Sequence, residues 1–258
     1  MPFRTRADAR LFYDDVGDGR PPLLLVHGIM CDHRFWGPQV KYFGARHRVV
    51  RVDLRGHGRS DAPEQDYTMG LLADDLAWLC TELDLTRPVV IGHSMGGVVA
   101  LELAARHPEL PGAIIALDSA LVPPESTRAL VPTFATALRG ADWQAAQRQL
   151  AEASFHGDED AKVKAWVLER IGAPQHVVAS AFVEMFACDT GAAAAACKVP
   201  LLYLSSGGGA ADLERLRGRA PELIIGQTVG AGHFHQLEVP EQINAMIERF
   251  LAIRVGRK

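Results

Sequence analysis

The stretch that decides the fold is residues 88–107, PVVIGHSMGGVVALELAARH. An apolar run, 88–91, precedes a G-x-S-x-G turn centred on Ser94, and helix-forming residues follow over 98–105. This is the order of a nucleophile elbow, in which a strained serine exposes its hydroxyl at the carboxyl end of a strand. Glycines are expected on both sides of the serine because a Cβ there would collide with the neighbouring strand or helix. The simpler interpretation, a serine turn in a nucleotide-binding fold, lacks the accompanying G-x-x-x-x-G-K-[ST] motif.

The composition is that of a small globular protein. The chain has 258 residues, 48% of them hydrophobic and 22% charged, which is enough for one α/β core and a subdomain. A formal net charge of −4 argues against a nucleic-acid partner. The four cysteines show no C-x-x-C spacing, so no metal or redox motif is predicted. Since no signal peptide and no apolar run of about 18 residues is found, we expect a cytoplasmic chain without a membrane partner.

Apolar runs alternate with helical patterns along most of the chain. Strands are predicted over 3–5, 10–14, 22–26, 49–53, 89–91, 113–117, 200–204 and 223–228. The clearest helices are predicted over 69–83, 98–107 and 240–251. This alternation predicts an α/β fold with a doubly wound, mostly parallel sheet. Functional residues of such sheets lie at the carboxyl ends of the strands, where His27, Asp53, Ser94 and Asp118 fall.

One long segment breaks this alternation. Between about 121 and 198 there is no strand candidate. Helical windows occur over 130–138, 143–153, 158–171 and 176–186, and 191–196 fits a helix or a connector. An insertion of this size between two core strands indicates a helical cap over the strand ends. We therefore predict a core of residues 1–120 and 199–258 with a cap of residues 121–198.

A candidate base follows the last predicted strand. A serine hydroxyl is a weak nucleophile and needs a base within hydrogen-bonding distance, held in turn by a third group. His233 stands between the last predicted strand and the last predicted helix, so it can reach over the sheet edge towards Ser94. His235, two residues later, is the alternative base.

Four motifs resemble those of the α/β-hydrolase superfamily, and the resemblance extends over about residues 3–250 with the cap included. They are HGIM at 27–30, DLRGHGRS at 53–60, GHSMGG at 92–97 and GH at 232–233. The resemblance implies an oxyanion hole made by the backbone N–H groups of Ile29 and Met95, whose side chains would shape the pocket wall. It also favours His233 over His235 as the base.

Two aspartates are candidates for the acid that would hold the base His233. Most members of the superfamily carry it in a turn after the penultimate strand, but here that place holds Gly208 or Gly209. Asp212 comes slightly later, where a role as a helix N-cap also explains it. A subset of the superfamily places the acid after the preceding strand, where this chain has Asp118. The resemblance favours Asp118, with Asp212 as the alternative and a purely structural aspartate as the simpler interpretation.

The leading hypothesis is a carboxylesterase or lactonase that cleaves a small, largely hydrophobic ester or lactone through an acyl-enzyme. Ser94 would be the nucleophile, His233 the base and Asp118 the orienting acid. Epoxide hydrolases and dehalogenases are disfavoured, because members of the superfamily with those activities carry a carboxylate at the elbow.

Other functions stay open. The segment CDHR at 31–34, together with Asp118, is similar to cofactor-independent ring-cleaving dioxygenases, which use a pair such as His233 and Asp118. Carbon–carbon bond hydrolases share the same three catalytic residues. Outside catalysis, the alternative is a ligand receptor with slow turnover. No metal and no organic cofactor is predicted, and the sequence leaves the oligomeric state open.

Overall fold

A single sheet organises the described part of the chain, residues 2–155 and 160–255 of a computed structural model. Its strands are β1 (Phe3–Arg6), β2 (Ala9–Val16), β3 (Leu23–Val26), β4 (Val49–Val52), β5 (Val89–His93), β6 (Ala113–Leu117), β7 (Leu201–Ser205) and β8 (Ile224–Gln227). They lie in the order β1-β2-β4-β3-β5-β6-β7-β8. The pairs β1–β2 and β2–β4 are antiparallel, and all others are parallel. The predicted α/β fold is confirmed.

Helices cover both faces of this sheet. They are α1 (Gly37–Phe43), α2 (Met69–Glu82), α3 (Met95–Arg106), α4 (Glu125–Arg139), α5 (Trp143–Glu152), α6 (Ala161–Arg170), α7 (Gln175–Ala187), α8 (Thr190–Ala196), α9 (Leu213–Arg219), α10 (His235–Glu238) and α11 (Pro240–Phe250). Leu24 and Val26 of β3 pack in one hydrophobic cluster, and Leu23 and Leu25 in a second. This alternation reflects the two faces of a pleated strand. It explains why the central strands are apolar throughout.

No single helix in the described residues is long and apolar enough to cross a membrane. Helices α7 and α8, which meet at 61°, pass such a test of length and composition only as a bent pair.

The pairing of β5 with β6 sets the position of the candidate site. His93 at the end of β5 is in register with Leu117 at the end of β6. Ser94 directly follows β5 and Asp118 directly follows β6. The Ser94 N–H donates to the Leu117 carbonyl at 2.9 Å. Because the strands run in parallel, both residues leave the sheet at the same carboxyl edge.

Local signals explain where two cap helices depart from the predicted windows. Helix α4 starts at Glu125, before the predicted 130–138, because Pro124 precedes it and an acidic residue in the first turn complements the helix dipole. Helix α6 starts at Ala161, where Asp160 accepts hydrogen bonds from the first turn. The predicted start of that window, residues 158 and 159, lies outside the described residues.

Among the described residues, helices α4 to α8 lie between β6 and β7 in the chain. The small-residue run 191–196 belongs to α8, whose N-terminus is capped by Asp189. These helices fall inside the segment that the sequence assigns to a cap, although the limits 121–198 of a separate domain stay a prediction. One of the hydrogen bonds between this segment and the rest of the chain runs from the Gly172 N–H to the Met30 carbonyl at 2.8 Å.

Ser94 occupies a strained turn that its glycine neighbours make possible. Its φ of 53° and ψ of −120° lie in a region that residues with a side chain rarely adopt. A Cβ on Gly92 would overlap the carbonyl oxygen of Gly96, and one on Gly97 would overlap the hydroxyl of Ser119. The close approach of strand and helix therefore depends on the absence of side chains at these positions.

We expect the substitution Gly96→Ala to destabilise the fold by at least about 2 kcal/mol. Its Cβ would overlap the Val26 carbonyl oxygen and lie 2.6 Å from that of His27, and neither backbone atom can move without displacing β3. Urea unfolding measures the change. Gly218→Ala is the matched control, because the exposed Gly218 in α9 has nothing within 4 Å of an added Cβ. Equal unfolding midpoints for the two variants would contradict the packing argument.

Candidate active site

A cavity of about 270 Å³ lies where the carboxyl ends of the strands meet the cap. Ser94, Asp118 and His233 border it on the core side. The cap contributes a mainly apolar wall that includes Leu150, Ile171, Phe182, Met185 and Phe186. No lysine or arginine borders the cavity within the described residues. The chemistry-bearing residues therefore lie at the base of an apolar pocket, which is the usual form of a small-molecule site.

His233 is paired with Asp118. The Nδ1 of His233 is 2.8 Å from Oδ2 of Asp118, and the Ser206 N–H donates to the other carboxylate oxygen at 3.1 Å. Burial by itself would raise the pKa of Asp118, but the hydrogen bond and charge of His233 outweigh it and hold that pKa below its ordinary value. The carboxylate is therefore ionised at neutral pH and accepts from His233.

The alternative acid is engaged elsewhere. Asp212 is the N-cap residue of α9 and accepts a hydrogen bond from the Arg215 N–H at 3.0 Å. It makes no hydrogen bond or ion pair with His233 in the described structure. Of the two candidate aspartates, the fold brings Asp118 to the histidine.

The pair leaves one nitrogen of His233 free for Ser94. With Nδ1 engaged by Asp118, only Nε2 remains to accept a proton. Ser94 is partly exposed and borders the same cavity. No hydrogen bond joins its hydroxyl to His233 in the described residues. Such bonds are often long in ligand-free active sites and shorten when substrate binds.

His235, the alternative base, lies in the core. It is fully buried, and its Nδ1 is 3.2 Å from the hydroxyl of Thr228. Burial lowers the pKa of His235 to about 4. It does not border the cavity, whereas His233 does.

The two candidate oxyanion donors are backbone groups with fixed orientation. His27 Nε2 accepts from the Leu54 N–H at 3.0 Å, so its Nδ1 carries the proton and donates to the Gly28 carbonyl at 2.8 Å. Since C=O and N–H of a trans peptide point in opposite directions, this bond turns the Ile29 N–H away from His27. Met95 is the first residue of α3, so its N–H has no acceptor within the helix.

The side chains of the two donors differ in position. Ile29 borders the cavity, as expected. Met95 is fully buried in the hydrophobic core beneath the elbow, so the expectation that its side chain shapes the pocket wall is wrong. The cause is the direction of α3, which turns its first side chain into the core.

The segment 31–34 contributes only one residue to the cavity, Cys31. The ligand atoms of Asp32, His33 and Asp53 lie within 4.8 Å of one another, as a metal site requires. Their carboxylates are already satisfied by the protein, since Asp53 accepts from the N–H and ring of His33 and Asp32 accepts from Arg34. The donor set therefore fits a hydrogen-bonded turn rather than a metal centre.

His93 is a residue of the site that the sequence analysis missed. It borders the cavity, and its Nε2 is 2.8 Å from the carbonyl oxygen of His233. Its only signal in the sequence is a histidine inside the elbow, next to Ser94.

The fold and this site define an α/β-fold protein with a serine elbow and a histidine–aspartate pair beneath a helical insertion. Residues 23–246 match the alpha/beta hydrolase family. The chain therefore belongs to the alpha/beta hydrolase family, a family of enzymes.

Solved structures similar to this chain cover nearly all of it. The enol-lactonase from Burkholderia xenovorans LB400 has a TM-score of 0.85 and 25% identity, over 97% of this chain and 100% of its own. A thermophilic esterase from Thermogutta terrifontis has a TM-score of 0.82 and 27% identity, over 95% of this chain and 93% of its own.

Curated relatives match a smaller region. Epoxide hydrolase 3 from Xenopus tropicalis is 39% identical over 113 residues, which are 43% of this chain and 31% of that protein. The matched region makes up only 31–39% of the length of this and other curated relatives, so the chain spans about a third of the relatives it matches.

Burial of His235 makes the stability of the fold dependent on pH. Because its pKa is about 4 in the folded chain against an ordinary value of 6.5, the unfolded chain binds the extra proton and stability is lost as the pH falls through this window. In the parent chain, this proton uptake lowers the free energy of unfolding by up to about 1.4 kcal/mol for each unit by which the pH falls. We expect His235→Asn to remove this contribution. Urea unfolding of both chains between pH 7 and pH 5 measures it. A free-energy difference that does not change with pH would contradict the prediction.

Proposed function

We propose that this protein is a serine hydrolase that cleaves a carboxylic ester or lactone through an acyl-enzyme. The observation that carries the proposal is the 2.8 Å pair of His233 and Asp118 on the same cavity as Ser94, which stands in a strained elbow. A base oriented by a carboxylate and a hydroxyl held at the end of a strand are the parts that acyl transfer by serine requires.

The proposed reaction runs in two halves. His233 Nε2 takes the hydroxyl proton of Ser94 as Oγ attacks the carbonyl carbon, and Asp118 stabilises the imidazolium that forms. The N–H groups of Ile29 and Met95 hold the oxyanion, a type of contact worth about 3–4 kcal/mol for each donor. His233 then protonates the leaving alcohol as its bond to the acyl carbon breaks. Water repeats the sequence and releases the acid and free Ser94.

The cavity favours an uncharged, largely hydrophobic acyl group. Its cap wall is apolar, and the described lining offers no cation to pair with a second carboxylate. An anionic substrate would lose its hydration water on entering the cavity and would gain no cation in exchange. It would also be repelled by the charge of Asp118. The likeness to an enol-lactonase and an esterase supports ester or lactone cleavage.

Ester cleavage is favoured over epoxide opening, which the names of three curated relatives suggest. In the superfamily, epoxide opening is associated with a carboxylate at the elbow, whereas this chain has Ser94 there. Ring cleavage without a cofactor is less favoured, because Asp32, His33 and Arg34 do not border the cavity.

The first test is acid release in a pH-stat from a panel of neutral esters, lactones and esters that carry a second carboxylate. We expect turnover of neutral members and at least about tenfold slower turnover of carboxylate-bearing analogues of equal length. Ser94→Ala should reduce turnover by at least about 1,000-fold. Acid release that persists undiminished in Ser94→Ala would overturn the proposal, and so would its absence from every member of the panel.

The second test separates the two aspartates. Asp118→Asn is expected to lower kcat by about 1,000- to 10,000-fold, because an amide cannot hold the His233 imidazole in the required tautomer. Asp212→Asn is the control, since asparagine is an equally good N-cap and α9 should remain intact. Steady-state kinetics with the best ester of the panel measures both variants. A large loss in Asp212→Asn alone would assign the acid to Asp212.

A further inference from the structure

The residue before the elbow serine is bonded to the loop that carries His233. His93 ends β5 and is buried, with 1% of its surface exposed. Its Nε2 is 2.8 Å from the His233 carbonyl oxygen, and the two ring centroids are 4.6 Å apart. A contact between residues 140 positions apart thus joins the elbow to the loop of the candidate base.

The chemistry of this contact fixes the protonation of His93. A carbonyl oxygen only accepts, so the proton must be on Nε2. Nδ1 then has no proton and has no partner in the described structure. It faces the backbone of Gly28, where an added Cβ would lie 3.1 Å away. Burial lowers the pKa of His93 well below its ordinary value, so the ring is a neutral donor at neutral pH.

The ring and the backbone of His233 are thus each held by a residue at the edge of the sheet. Its ring is bonded to Asp118, and its backbone is bonded to His93. Both partners lie at the paired ends of β6 and β5, beside Ser94. A further hydrogen bond of this loop, from the Gly232 N–H to Glu238 at 3.0 Å, stays within the segment and does not attach it to the elbow.

We propose that His93 is a positioning residue, which donates its Nε2–H to the His233 carbonyl and thereby holds the His233 imidazole in place against Ser94. The inference rests on the proposed serine hydrolase function. A shift of about 1 Å in a catalytic group is enough to cost two orders of magnitude in rate, so the bond affects turnover without touching the reacting atoms.

Three substitutions at His93 distinguish a donor from a filler of space. Glutamine places an N–H near the position of the histidine Nε2. The side chain of asparagine is shorter, so its N–H lies near the position of Nδ1 and does not reach the His233 carbonyl. Phenylalanine keeps an aromatic ring but has no donor. We expect His93→Phe and His93→Asn to lower kcat by about 10- to 100-fold at an unchanged KM and with the same pH profile. His93→Gln should recover kcat to within about threefold of the parent. Near-ultraviolet circular dichroism verifies that each variant is folded.

A covalent probe measures Ser94 without knowledge of the substrate. In its reaction with a fluorophosphonate, the Ser94 Oγ–phosphorus bond forms and the phosphorus–fluorine bond breaks, which releases fluoride to solvent. The hydroxyl proton of Ser94 passes to His233 and then to solvent. We expect the labelling rate to follow kcat across the three variants. The low-field proton resonance of the His233 Nδ1–H, bonded to Asp118, should broaden in His93→Phe and stay sharp in His93→Gln.

The outcomes separate the positioning role from the proposed function. Full labelling and kcat in folded His93→Phe would overturn the inference, as would an equal loss in His93→Gln and His93→Phe, which would mean that ring volume matters and the donor does not. A parent chain that neither releases acid from the panel nor reacts with the probe would overturn the hydrolase function. In that case, resonance broadening confined to the variants without the donor would still support the role of His93.

Discussion

The hydrogen bond from the Ser94 N–H to the Leu117 carbonyl, 2.9 Å long, is the contact on which the site depends. It joins the ends of two central strands, so that Ser94 and Asp118 leave the sheet side by side. Both strands are fully buried and paired in parallel, and neither can slip without breaking its hydrogen bonds and reversing the faces of its side chains. The loop that carries His233, the loop that carries Ile29 and the helices α4 to α8 come from distant parts of the chain and meet at this edge.

The electrostatics of the site follow from that burial. Asp118 is kept ionised by His233 and the Ser206 N–H, while desolvation lowers the pKa values of His27 and His93 and so keeps both rings neutral. Asp118 is thus a fixed negative charge near the buried rings of His93 and His235, whose pKa values burial lowers, in surroundings where charge interactions are stronger than in water. In the proposed reaction, positive charge that develops on His233 meets this carboxylate at 2.8 Å without a competing cation in the described lining.

Short-range features of the site could be predicted from the sequence, and long-range ones could not. Parallel strands buried on both faces leave continuous apolar runs, and the elbow requires its glycines, so both are visible in a single chain. The place of Asp118 after β6 made it a candidate, but a choice against Asp212 needed the path of the loop after β7. The bond of His93 to His233 spans 140 residues and leaves no local pattern. The cap wall was equally hidden, because α7 is apolar on most of its surface and gives no sign of which residues, such as Phe182 and Met185, face the cavity.

The loop between α6 and α7 contacts both the cavity and the backbone next to Ile29. The Gly172 N–H, in the loop between α6 and α7, donates to the carbonyl of Met30, a residue that adopts a φ of 61° directly after Ile29. Residues in this conformation persist only where their surroundings hold them, and this hydrogen bond is part of that support. The same cap loop contributes Ile171 to the cavity wall. A change in this loop that reshapes the cavity wall therefore also acts on the backbone beside Ile29. Under the proposed function, the fit of the substrate and the position of the Ile29 N–H would thus change together.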